Sequence, residues 1–348
     1  MAELPDLGTD YTVYDLNGTP DIKVEKVKTK LPEEFEVTIK GKHVHTSLSN
    51  AIRRTILMHI PIYGYHRSNI FIEHKKCKYM YNNDLIYNQI ETLPIYDIPN
   101  DFDLEEMMLF MPHEALTKIF GDSIKQADFT QPGSKIHDIE FMLSVKNMTD
   151  DFKFVSTHDA VFKIDGKERD NYKKHPAVSI IVLKPGEEVH LRAVANISIA
   201  HISAIYDATT TAIHKMITPT EFRLSYETLG QLDKNVIFEK ACLILSKKLE
   251  YLEKFVNDTF KDDPEYQKNQ ISIELYGETY TLGNLISNIL QCSDYVEKAG
   301  YAVPHPFMPH VIIEFKIYDD SKLSAIEVLV KAIKYGKKMF DVILKQWK

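Results

Sequence analysis

Along residues 45–61 the apolar positions fall in a helical rhythm. Leu48, Ala51, Ile52, Thr55, Ile56 and His59 recur at i, i+3, i+4, i+7, i+8 and i+11, the buried stripe of an amphipathic helix. Thr46 and Ser47 stand where a hydroxyl can accept from the free amides of the first turn, and Pro61, which lacks an amide donor, stops the run. Arg53 and Arg54 fall on the opposite face, where two adjacent guanidiniums need water or a partner. The same rhythm returns at residues 280–290, with Leu48 matched by Leu282, Ser49 by Gly283, Asn50 by Asn284 and Ile52 by Ile286. A pattern used twice predicts two copies of one supersecondary unit. The arginine pair is not repeated, since Ser287 and Asn288 stand there. The copies therefore share a packing role, and one alone carries the charged face.

The remaining pattern orders itself around these two helices. Residues 1–34 hold scattered Gly, Pro and charges, an arm with at most one strand near Asp21 to Val27. Phe35 to Lys40 alternates as a strand, Gly41-Lys42 turns, and the first key helix follows. A strand at Ser68–Lys76 and a short helix at Asp84–Glu91 lead to Leu93-Pro94-Ile95. From Asp97 to Glu106 the chain is acidic loop, and residues 107–124 predict a helix through Met108, Leu109, Leu116 and Ile119. Strand patterns then follow at Ile139–Val145, Val161–Ile164, Val178–Leu183 and Val189–Ala195, with Lys184-Pro185-Gly186-Glu187 as a type II turn. Glu221 to Glu227 alternates, and Asp233 caps a helix to about Asp258 whose Phe238, Cys242, Leu245, Leu249, Leu252 and Val256 make a heptad-like seam. The charged stretch 259–269, with Pro264, reads as a linker. A strand at Ile271–Leu275, the second key helix, and strands around Ala302 and at Val311–Ile317 follow. The last helix, from Ser321, carries Ile326, Val330, Ile333, Lys337, Phe340, Leu344 and Trp347 at the same spacing. Gly336 inside it costs about 1 kcal/mol relative to Ala. The expected organisation is α+β. An arm spans 1–34, and a first module is split between 35–95 and 215–258. A mostly β insert occupies 96–214, a linker 259–269, and a second module 270–348.

Composition narrows the class. The 348 residues are 44% hydrophobic, enough for sizeable cores, and 42 basic against 50 acidic residues leave a net charge of −8. Broad nucleic-acid binding rests on neutralising phosphates, so this balance argues against it. Three distant cysteines, Cys77, Cys242 and Cys292, make neither a CxxC zinc site nor a disulfide framework, and indicate an intracellular chain. The acidic, polar start lacks a signal sequence's apolar core, and no run of 18 apolar residues predicts a membrane span.

These residues resemble the α-type assembly subunits of multisubunit DNA-directed RNA polymerase. The first half is similar to the third-largest subunit of RNA polymerase II, its archaeal D-type counterpart and the bacterial α N-terminal domain. It carries the motif Leu48-Ser49-Asn50-Ala51-Ile52-Arg53-Arg54-Thr55-Ile56-Leu57 with Ile60-Pro61, then Leu93-Pro94-Ile95 and Lys184 to Val189. The last part is similar to the eleventh subunit of that enzyme and its archaeal L-type counterpart, through Thr281-Leu282-Gly283-Asn284-Leu285, Ala299-Gly300-Tyr301 and Pro304-His305-Pro306. Both partners fused in one chain resemble the arrangement in large DNA viruses. Gln89 and Glu91 depart from the family, which usually has Arg and Gly there. No cysteine lies in 96–214, so the metal cluster some relatives hold in this region has no ligands.

The resemblance implies a non-catalytic scaffold that binds no cofactor. Its two modules would pair within one chain through Leu48, Ile52, Ile56, Leu245, Leu249, Leu252, Leu282, Leu285, Ile286, Ile289, Ile333 and Phe340. Asn50, Arg53 and Arg54 would dock the second-largest subunit. The largest and small subunits are further expected partners, and DNA and RNA only through the complex. A viral source implies the host cytoplasm, in a viral factory, with packaging in the virion as a further expectation. Two other classes compete with this reading. A metal-dependent enzyme would use His43, His45 and Asp101 or Asp103, but Asp101-Phe102-Asp103 lacks a third aspartate and the histidine pair a third ligand. A DNA-binding factor conflicts with the charge. His305, between two prolines, suits packing at a module edge.

Overall fold

Alternation on one side of a strand and a stripe on one side of a helix demand a shared core, and the two halves of this chain bury theirs in one contiguous core. The computed structural model describes residues 12–77, 82–99, 137–260, 264–305 and 310–347. In chain order it begins β1 (Lys23–Lys26), β2 (Glu34–Lys40), α1 (Thr46–Met58), β3 (Ile62–Gly64), β4 (Ile70–Lys75) and α2 (Asn83–Glu91). The middle is mostly strand: β5 (Ile139–Lys146), β6 (Lys153–Ser156), β7 (Val161–Ile164), β8 (Lys167–Arg169), β9 (Ser179–Leu183), β10 (Glu188–Val194) and β11 (Asn196–Ser198). Then come β12 (Thr209–Thr218), β13 (Glu221–Thr228), α3 (Lys234–Phe260), β14 (Gln270–Tyr276), α4 (Tyr280–Gln291), β15 (Val296–Ala302), β16 (His310–Ile317) and α5 (Ala325–Trp347). The fold is α+β.

The first module is an antiparallel sheet in the order β1-β2-β13-β12, covered by α1 and α3. Val37, Ile39, Phe222 and Leu224 point from it into the core at 1% exposure or less. The second module is the sheet β14-β16-β15, on which α4 packs. The four helices meet between the sheets: α1 lies against α4, α3 against α5, and α1 on α3 as α4 is on α5. The insert is the antiparallel sheet β4-β10-β5-β7-β8, with the pair β6-β9 beside it. Its turn Lys184–Glu187 closes with the Glu187 amide donating to the Lys184 carbonyl at 3.1 Å, and Gly186 takes the φ of +75° that type II requires.

Strand pairing departs from the expected boundaries at three places. β4 pairs with β10, and β3 with β11, so residues 62–75 join the insert although they precede it in sequence. β12 starts at Thr209, before the expected return at 215, and pairs with β13 of the first module. Alternation marks a segment as a strand but carries no information on its partner. The arm does more than expected. β1 pairs with β2, and ahead of it the Tyr14 amide donates to the Cys292 carbonyl at 2.6 Å while its ring stacks on Tyr335 of α5. The Gln346 amide of α5 brackets the same strap, donating to the Ile22 carbonyl at 2.7 Å and accepting from the Val24 amide at 3.1 Å. The predicted helix 107–124, Asp101 and Asp103 lie outside the described residues.

Candidate docking and pairing interface

The stripe of α1 sets everything near it. Leu48 and Ile52 are fully buried, and Ile56 and Ala51 nearly so. The cap is not Thr46 or Ser47 but His45, whose ring nitrogen accepts from the Ser47 amide at 3.4 Å. Burial lowers the pKa of His45, and the neutral ring it favours is the form that can accept. Ser47 is thereby freed to reach the other module, where it donates to Asn288 Oδ1 at 3.2 Å. The neighbouring His43 accepts from the Asp21 amide at 2.7 Å through its Nδ1, a turn role. Among the described residues no three His, Cys, Asp or Glu side chains are grouped to hold a metal ion.

The two arginines part ways. Arg54 turns into the seam, its Nε donating to Thr281 Oγ1 of α4 at 2.8 Å. The expectation that both arginines sit on a face free of the fold therefore fails for Arg54, because the second module closes over that side of α1. Arg53 donates from Nε and Nη2 to Asn50 Oδ1 at 3.0 and 2.9 Å, one turn back. It is half-buried and has no ion pair among the described residues. Burial, and then Arg54, lower its pKa, the mark of a cation short of solvent and of counter-charge. Beside it runs β12, an edge strand whose Ile213 and Met216 are each 60% exposed, with Ile217 at 44%. The His214 ring on that strand contacts Ser49 Oγ at 3.2 Å and ties the edge to α1.

The repeat gives the α1–α4 contact a local two-fold. With Leu48 matched to Leu282, Ser47 corresponds to Thr281 and Arg54 to Asn288. The bonds Ser47–Asn288 and Arg54–Thr281 are thus the same pair of positions exchanged, as in an isologous dimer interface. The residues expected to form the pairing core are all buried. Leu245, Leu249 and Leu252 lie on α3, Leu282, Leu285, Ile286 and Ile289 on α4, and Ile333 and Phe340 on α5, none above 4% exposure. Gly336 is there for closeness: a Cβ would meet Ile289 Cδ1 at 3.1 Å and Leu249 Cδ1 at 3.3 Å, where three helices converge. The buried face of α5 is wider than its heptad seam, adding Ala325, Val328, Leu329, Ala332, Tyr335, Met339 and Ile343, because α5 faces α3, α4 and β1 at once.

Sequence reasoning missed a polar cluster at the C-terminal end of α1. Lys248 of α3 lies 3.1 Å from Glu278 Oε1, both nearly out of solvent. The His59 and His201 rings stand 5.6 Å apart, and the His201 amide donates to the Met58 carbonyl at 2.9 Å. Burial, then Lys248, His201 and Arg54, hold His59 well below the ordinary imidazole range. The cluster joins first module, second module and insert across more than a hundred residues of sequence, and no local pattern announces it. The departures Gln89 and Glu91 serve the insert: Gln89 donates to the Ser179 carbonyl at 2.9 Å, and Glu91 accepts from the Arg67 amide at 3.0 Å.

Comparison with known proteins decides the lineage. The family model for the RNA polymerase Rpb3/Rpb11 dimerisation domain matches residues 270–346. A protein of Acanthamoeba polyphaga mimivirus, named as a DNA directed RNA polymerase subunit, is 43% identical over 338 residues, 94% of each chain. The chain belongs to the Rpb3/Rpb11 family of RNA polymerase subunits. Shorter relatives match part of this subunit. One is the RPAC2 subunit of RNA polymerases I and III named in Caenorhabditis briggsae, 36% identical over 28% of this chain and 61% of its own. Another is the subunit Rpo11 of Sulfolobus acidocaldarius, 32% identical over 24% of this chain and 89% of its own. The subunit is an assembly component of a multisubunit RNA polymerase with a large-virus relative, and other polymerase subunits are its partners. No helix among the described residues is long and apolar enough to cross a membrane.

Proposed function

We propose that this subunit is a non-catalytic scaffold that carries both halves of the α-like pair in one chain. It docks the second-largest polymerase subunit through Asn50, Arg53 and the outer edge of β12, and Arg54 contributes the guanidinium donors that Thr281 leaves over. The largest subunit and the small subunits bind elsewhere on the same scaffold, in the host cytoplasm. The first module comprises 35–95 and 215–258, extended back to Thr209 by β12, with the rest of the insert 96–214 between them, less the strands β3 and β4 that the insert takes. The second module follows the linker at 270–348. The observation that carries the docking reading is Arg53, a half-buried guanidinium that among the described residues has only an amide oxygen for a partner and lies beside exposed Ile213 and Met216. A planar cation in that setting suits a bidentate carboxylate from a partner chain. The test is co-purification of tagged Arg53→Glu from cells making the whole polymerase. Loss of the second-largest subunit, with unchanged melting, is expected. Normal recovery moves the docking face elsewhere. Nucleotide incorporation by the purified chain alone would overturn the scaffold reading.

A further inference from the structure

The seam between the modules is apolar except at a few points, and beyond the exchanged α1–α4 bonds those points are not symmetric. Lys248 and Glu278 form the most enclosed of them, with side chains 9% and 4% exposed. The repeat that equates Leu48 with Leu282 places Val44 of the first module at the position of Glu278, and Val44 is itself buried at 2%. Along α3 and α5 the contacts form an antiparallel ladder. Ser246 donates to Asp341 Oδ1 at 2.8 Å, Lys337 reaches Glu250 at 2.9 Å, and Lys334 lies 3.4 Å from Glu253. Each advance of three or four residues on α3 meets an equal retreat on α5, so the pairs hold a single register.

We propose that these polar pairs are a partner code, which matches the first module to a second module and rejects another copy of the first. In a like-with-like pair of first modules, Lys248 would face Val44 and remain a buried charge without a partner, a strongly unfavourable arrangement. Glu250 and Glu253 would also lose Lys337 and Lys334, which only the second module carries. Lys247 and Lys254 of α3 stand 3.6 and 3.9 Å from Glu250 and soften that loss in the solvent, so the buried pair carries most of the discrimination. The α1–α4 bonds are indifferent, since Ser47 offers Arg54 the same hydroxyl that Thr281 does. Specificity of this kind comes from what the wrong partner leaves unpaired. The tether between the modules supplies proximity, and the code supplies choice.

The test uses the full chain with a protease site placed between residues 260 and 264, cleaved after folding, so that pairing no longer depends on the tether. Native mass spectrometry then counts mixed and like-with-like pairs. The cleaved wild type is expected to remain mixed. Glu278→Val, which installs the first module's own residue, should raise the dissociation constant of the mixed pair at least tenfold. Lys248→Met with Glu278→Val removes both charges, a change that buried ion pairs tolerate. It should restore the mixed pair while raising the ratio of like-with-like to mixed pairs at least tenfold over wild type. A double variant as selective as wild type, or a Glu278→Val chain that pairs normally, overturns the code. No polymerase subunit takes part in this measurement, so the docking reading is judged separately.

Discussion

The helices α1 and α4 are the same device put to different ends. Both present Leu, Ile and a small residue at matched positions to one core, and Ile52 and Ile286 are both fully buried. Their differences lie where the stripe ends. The small position is Ser49 in α1, which reaches His214 on the edge strand. It is Gly283 in α4, where a Cβ would come within 2.6 Å of Val311 Cγ2. Arg53 and Arg54 of α1 face Ser287 and Asn288 of α4 in the repeat, and His59 faces Ser293. A duplicated unit keeps its packing positions because both copies must bury the same face. Its polar positions are free to diverge toward whatever each copy meets outside.

The sharpest way to break this comparison is to cut equally into both stripes. Ile52→Ala and Ile286→Ala each remove a fully buried side chain, and each should cost about 2–5 kcal/mol. Urea unfolding measures both. A loss confined to one of them would show that the two stripes do not share one packing role.

Acid should separate the modules next. Burial and nearby Lys248, His201 and Arg54 depress the pKa of His59, and burial does the same for His201, which Glu278 partly opposes. The unfolded chain therefore takes up protons first. The stability these rings contribute is complete above about pH 6.5 and is lost as the pH falls below it. The urea midpoint should drop between pH 7 and pH 5, and His59→Ser, which copies the second module, should flatten that slope. An unchanged slope would remove the cluster from the account.

The smallest effects come from giving α1 the polar residues of α4. Arg54→Asn loses the bond to Thr281 and should cost about 1 kcal/mol. Arg53→Ser should change stability by no more than about 0.5 kcal/mol, as surface substitutions do, because its partner among the described residues is Asn50, one turn away. Calorimetry of the two variants distinguishes a seam residue from a docking residue. Equal losses would place both in the seam.

Much of this was legible in the residues. Periodicity alone located α1, α4 and the long helices, since a 3.6-residue rhythm records which face is buried whatever buries it. The repeat was visible for the same reason, and the motif residues around it indicated the polymerase family before any geometry. The tertiary structure decided which neighbour each face meets. It sent Arg54 to Thr281 and left Arg53 beside an open edge, gave the cap of α1 to His45 so that Ser47 could cross the seam, and moved β3 and β4 into the insert. It also set Lys248 against Glu278, thirty positions apart in the chain and in different modules. Such choices depend on through-space distances between segments that local pattern does not encode. A hydrophobic period states that a side is covered, and only the folded chain states by what.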